Sequence, residues 1–252
     1  MGFLSPTALG SPKVRGSLRT NRPFEASGGS RGTLTIARME DCFLCAPDPD
    51  LVYAADRSSV ALCGLGPLVR GYSLVATRAH VRSCADAALK ASLVPFAESV
   101  RRVLTNRYGS CLLTEHGRLA VCTASRGAEA HCFHAHFLLF PGAPEVAERA
   151  RLHFAKTTAA ASLRQALAVG RRQKEYFLLS PNPDQFFVMT RPGNLMRQFA
   201  RLLVAEAMNN PESANWARHP EKERAKAEAA EIAPLVPARI RTWQTQRKSK
   251  LS

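Results

Sequence analysis

The chain has 252 residues, 46% of them hydrophobic, with 35 Lys and Arg against 20 Asp and Glu for a formal net charge of +15. That length suits one domain with tails or two small ones, the apolar fraction is ample for a core, and the basic excess favours anionic partners such as nucleotides, phosphorylated metabolites or nucleic acid. No apolar run approaches the roughly 18 to 20 residues a membrane helix needs; seven cysteines, an odd number with no secretory signal ahead of them, argue against a disulfide framework and for a reducing, cytoplasmic setting.

Residues 1–38 are rich in Gly, Ser, Pro and Arg and carry six basic side chains against the single acid Glu25. With no sustained apolar period, they are predicted to be a disordered basic leader. A transit peptide shares this composition; the alternative is that Met39 is the natural start. The opening MGFLSP matches an N-myristoylation signal only in part, because Pro6 stands where Ser or Thr belongs.

Next comes DCFLC, where Cys42 and Cys45 have the spacing that lets two thiolates grip one metal from a tight turn. A redox dithiol uses the same spacing inside a βαβ pattern, which is not visible here, and two unrelated core thiols are the plain alternative. Residues 58–63 and 72–76 read as short apolar strands joined by the turn GLGPLVRG, with His80 just after the second. Leu89, Leu93, Phe96, Val100, Val103 and Leu104 recur at helical spacing, predicting one amphipathic helix over 85–104. Residues 110–115 return to a strand. The following segment, RLAVCTASRGAEA, lacks periodicity and reads as a loop presenting Ser125, Arg126 and backbone N–H groups to a phosphate.

The stretch HCFHAHFLLFPG over 131–142 reads as a strand whose side-chain period of two sets Cys132, His134, His136, Leu138 and Phe140 on one face. Neighbours on that face are roughly 7 Å apart, so one ring can bind a metal or be fixed by it while its neighbour reaches a substrate. His116 and His131 are further candidates for a proton donor, with ordinary packing as the alternative for each. A helix is expected over 144–169, and a hairpin from 176–180 and 185–190 around PNPD. Tyr176 and Phe186 in that hairpin read as core, or as a lid over the site. Leu195, Met196, Phe199, Leu202 and Leu203 predict a docked helix over 194–208, and residues 209–252 a loosely packed helix with a basic terminus.

Cys42, Cys45, His80 and His134 make a Cys₂His₂ set suited to a closed tetrahedral zinc that ties three distant segments together. With DCFLC, GPLVRGYSLVATRAHV, TEHG over 114–117 and HAHFLLFP from His134 in this order, the chain resembles the histidine-triad (HIT) superfamily, including its galactose-1-phosphate uridylyltransferase branch. The resemblance covers roughly residues 41–142. It implies an α+β fold, a bent antiparallel sheet with two main helices over 39–142, and a homodimer, for which helix 85–104 is the candidate surface; beyond that core, residues 143–208 read as a carboxyl-terminal hairpin and helix extension packed on it and 209–252 as a partly helical basic tail. It also implies structural zinc on Cys42, Cys45, His80 and His134. His136 becomes the nucleophile of a hydrolase or nucleotidyltransferase acting on a phosphoanhydride or phosphoramidate of a nucleotide or nucleotide-sugar. Two departures stand out: Leu138 replaces the third histidine, and Gly64 replaces the acid that holds the ribose hydroxyls in many members. The rival is a zinc-stabilised, catalytically silent protein that binds nucleic acid or another anionic partner through the basic tails.

Overall fold

The computed structural model describes residues 42–87, 92–121 and 134–240. Among these residues, eight strands form one sheet in the order β1-β2-β3-β5-β4-β7-β8-β6, and every neighbouring pair is antiparallel. The strands are β1 (Val52–Ala55), β2 (Ser59–Cys63), β3 (Ser73–Thr77), β4 (Cys111–Glu115), β5 (His136–Pro141), β6 (Phe154–Ala160), β7 (Phe177–Asn182) and β8 (Gln185–Pro192). The helices are α1 (Cys84–Ala87), α2 (Leu93–Tyr108), α3 (Ala147–Arg151), α4 (Leu163–Arg171), α5 (Phe199–Ala207) and α6 (Lys222–Ile232). No helix among the described residues is long and apolar enough to cross a membrane.

The mixed α+β architecture, the strands at β2, β3 and β4, and the β7–β8 hairpin follow the sequence pattern. β2, β3 and β4 are buried at every position, because helices cover both faces and remove the need for polar alternation. On one side, α2 buries Phe96, Ala97, Val100 and Leu104. Its Arg101, 4% exposed, donates to the carbonyls of Cys111 and Ser180 and so ties α2 to β4 and β7. On the other, Phe199 of α5 packs edge-on against Phe154 and Phe177. The hairpin extends the sheet itself, through β7 alongside β4.

Four expectations need correction. The helix expected over 85–104 is described as α1 and α2 on either side of residues 88–91, which lie outside the description, and α2 continues to Tyr108. The helix expected over 144–169 is α3, then β6, then α4. Thr157 and Thr158 favour a strand, and β8 offers β6 six registered partners from Phe154↔Pro192 to Ala160↔Phe186. The helix expected over 194–208 begins only at Phe199, because Gln198 takes a left-handed backbone (φ 56°), leaving Met196 63% exposed. Nor is the tail helix loose. α6 buries Ala225, Ala229 and Ile232, and its Glu228 accepts the Gly71 N–H at 2.8 Å. Lys222 and Lys226 pair with Asp48 and Asp50, so the tail pins the segment just beyond the cysteine pair.

Candidate functional site

Cys42 and Cys45 sit on a tight turn closed by the Cys45 N–H donating to the Cys42 carbonyl at 3.0 Å. His80 follows β3, and His134 immediately precedes β5, where the chain is already tied in: Ala135 N–H donates to the Val81 carbonyl and Thr77 N–H to the Ala135 carbonyl. These ties fold the four side chains inward. Their ligand atoms all lie within 4.8 Å of one another. His134 Nδ1 is 3.3 Å from Cys42 Sγ and 3.5 Å from Cys45 Sγ, and His80 Nδ1 is 3.1 Å from Cys45 Sγ. Bonds of about 2.3 Å to sulfur and 2.0 to 2.1 Å to nitrogen give a tetrahedral S···N edge of about 3.5 Å. The cluster is therefore nearly the size of a closed site.

The tautomer fits as well. His134 Nε2 is 2.6 Å from the Thr77 carbonyl, which only accepts, so Nε2 carries the proton and the Nδ1 lone pair faces the sulfurs. Burial pushes the His134 imidazole down to about 4 and lowers that of His80, which keeps both rings neutral as metal ligands must be. The four residues can hold a metal ion.

His136 opens β5, half-buried, its ring lining a small cleft with Arg82, Glu115, His116, Gly117, Arg118 and Leu119. Its Nδ1 donates to the His134 carbonyl at 2.6 Å. By the same donor logic, Nε2 keeps its lone pair. Burial lowers the imidazole below its ordinary value, and the carbonyl bond works in the opposite direction. The result is a neutral, oriented nitrogen base beside the metal-ligand cluster. One backbone carbonyl connects the two, because the residue that offers Nδ1 to the cysteines also orients His136.

Glu115 and His116 leave β4 in opposite directions. Glu115, 2% exposed, accepts from Cys84 N–H at 2.6 Å and from the Tyr176 hydroxyl at 2.7 Å. Burial pushes its carboxyl up to about 7, while those two bonds and the nearby Arg118 pull it down. His116 Nε2 accepts the Ala200 N–H at the start of α5. Burial, with a smaller contribution from charge on His136, pushes His116 down to about 3. Tyr176 and Phe186 are core residues, 0% and 4% exposed.

Arg118 lines the cleft with its guanidinium already engaged by Ser83, Asp86 and the carbonyls of Gly170, Gln173 and Lys174. Ser125, Arg126 and His131 lie outside the described residues. Gly64 has a packing reason: a Cβ there would stand 2.2 Å from Tyr72 Cε1. The Tyr72 ring in turn stacks on Phe140 at 4.9 Å and lies under the Arg201 guanidinium at 5.1 Å. An acidic side chain has no room there. Sequence reading missed Glu115, whose polar type gave no hint of burial, and left His116 undecided. No family model and no curated protein matches the chain.

Proposed function

We propose that the chain is a hydrolase or nucleotidyltransferase of the histidine-triad type, acting on a phosphoanhydride or phosphoramidate through a covalent intermediate on His136. The observation that carries this reading is the 2.6 Å bond from His136 Nδ1 to the His134 carbonyl, which fixes the ring with its Nε2 lone pair available at a cleft. Nε2 forms a bond to phosphorus as the bond from phosphorus to the leaving oxygen or nitrogen breaks, the electron pair departing with that group. In the second half, the oxygen of water or another acceptor bonds to phosphorus while the N–P bond breaks and its pair returns to Nε2. The acceptor's proton balances the one taken up by the leaving group. Arg82, at the cleft, offers positive charge to the phosphoryl oxygens.

Zinc on Cys42, Cys45, His80 and His134 would supply rigidity: four protein ligands fill a tetrahedron and leave no position for substrate. By holding His134 it would hold the carbonyl that orients His136. The Gly64–Tyr72 packing argues against the ribose-binding acid of many HIT members, so phosphoryl chemistry is better supported than any particular nucleoside.

The test is incubation with labelled dinucleoside polyphosphates and adenosine phosphoramidate, followed by trapping of an acid-labile adduct mapped to His136. Turnover with an adduct, both lost in His136→Asn, is the expected result. No turnover and no adduct on any such substrate would overturn the reading, and salt-dependent binding of nucleic acid in that case would favour the silent binding protein.

A further inference from the structure

His116 is the imidazole in the cleft to which the mechanism above gives no part. The β4–β5 register pairs Thr114 with Leu138. Continued by one pleat, it sets His116 opposite His136 on the same face of the sheet, where cross-strand side chains meet. Both residues line the one cleft, and charge on His136 is felt at the His116 ring. The His116 ring is held from two sides, stacked 5.9 Å from Phe177 and accepting the Ala200 N–H through Nε2 at 3.1 Å. A neutral imidazole carries a single proton, and with Nε2 facing a donor it must be on Nδ1. That Nδ1–H is buried and has no partner among the described residues. Orphaned buried donors are rare in native proteins and need a reason.

We propose that His116 is a second catalytic histidine, whose Nδ1–H donates a hydrogen bond to a non-bridging oxygen of the phosphoryl group carried by His136. The assignment rests on the phosphoryl chemistry proposed above. As charge grows on that oxygen in the transition state, a donor already fixed in place needs no reorganisation to stabilise it. Because the opposite nitrogen is held by α5, the N–H cannot turn away. The same bond supplies an acceptor for one of the open N–H groups at the start of α5, so one ring both seats the helix and serves the cleft.

Two substitutions separate these roles. His116→Gln places an amide oxygen near the position of Nε2, keeping the bond to Ala200 and removing the inner donor. His116→Asn places its amide near Nδ1 and gives up the bond to α5. His116→Gln is expected to keep the hydrogen-exchange protection of α5 but to form the His136 adduct from adenosine phosphoramidate about 10²- to 10³-fold more slowly. His116→Asn is expected to recover most of the rate while the amides of α5 exchange faster. An unchanged adduct rate in His116→Gln, or equal losses in both variants, would overturn the proposal. So would imidazole ¹⁵N spectra of the wild-type protein placing the His116 proton on Nε2, a measurement independent of whether either variant folds. Absence of any adduct in the wild type would defeat the reading of His136 first, and the two failures are thereby distinguishable.

Discussion

Replacing Glu115 by Gln should make the protein less stable than wild type in acid and more stable in mild alkali. Buried beneath the cleft, the carboxyl has an ordinary value of 4.5 raised to about 7 in the folded state. Between those values the native protein holds a proton that the unfolded chain has released. The stability of the protonated form is thus fully present below about 4.5 and is lost as pH rises through about 7. At 1.36 kcal/mol per pH unit, the gap amounts to about 3 kcal/mol, of which about 2.5 falls between pH 5 and 8. Gln has no such dependence. Its amide oxygen can take the Cys84 N–H, but its NH₂ then meets the Tyr176 hydroxyl, whose oxygen already accepts from Ala85 N–H at 3.3 Å. That mismatch costs about 1 kcal/mol. The variant should therefore trail the wild type by about 1 kcal/mol below pH 4, draw level near pH 5 and lead it by roughly 2 kcal/mol at pH 8, a relative swing between pH 5 and 8 of about 5 to 10 °C in midpoint temperature. Urea unfolding of both proteins at the two pH values, with zinc present throughout, makes the comparison; other titrations are common to both and cancel in the difference. A wild-type-to-variant difference that is the same at pH 5 and pH 8 would refute the argument.

Three further outcomes are expected. His136→Asn keeps a donor for the His134 carbonyl but has no second nitrogen. Adduct formation and turnover should fall by at least about 10³-fold with the unfolding midpoint unchanged, and retained activity in a kinetic assay would remove His136 from the mechanism. Wild-type protein should carry about one zinc per chain by elemental analysis. Cys45→Ala removes the sulfur that lies within 3.5 Å of both histidines and should reduce zinc to near zero while lowering the thermal midpoint by roughly 10 °C; metal-free wild-type protein of full stability would count against the site. Gly64→Ala drives a methyl into the Tyr72 ring and should cost about 1 to 3 kcal/mol in denaturant unfolding, with Gly64→Asp costing more and gaining no affinity for nucleosides. Wild-type stability in Gly64→Ala would show that the ring moves freely, contrary to its place between Phe140 and Arg201.

The chain's own order of residues was sufficient for features in which chemistry and spacing coincide. Two thiols three apart on a turn, a histidine just after a strand and another two places before His136 already single out the four residues that the fold gathers into a cluster able to hold a metal. β2, β3 and β4 were legible from apolar runs between turn residues, and the β7–β8 hairpin from PNPD. What the sequence could not settle depends on neighbours supplied from far along the chain. The stretch Phe154–Ala160 is compatible with a helix until β8 offers it a ladder, and α6 looks loose until Ala225, Ala229 and Ile232 find the first two strands and the Asp48 segment finds the lysines. Glu115 and His116 show the limit most sharply. Adjacent in sequence and equally polar, they diverge because a strand sends successive side chains to opposite faces. Glu115 meets Cys84 and Tyr176 and is raised by burial, while His116 meets the first turn of α5 and is left with one buried N–H beside His136. Composition sets what a side chain can donate or accept; which donors remain unmatched is decided only when the fold brings the partners together.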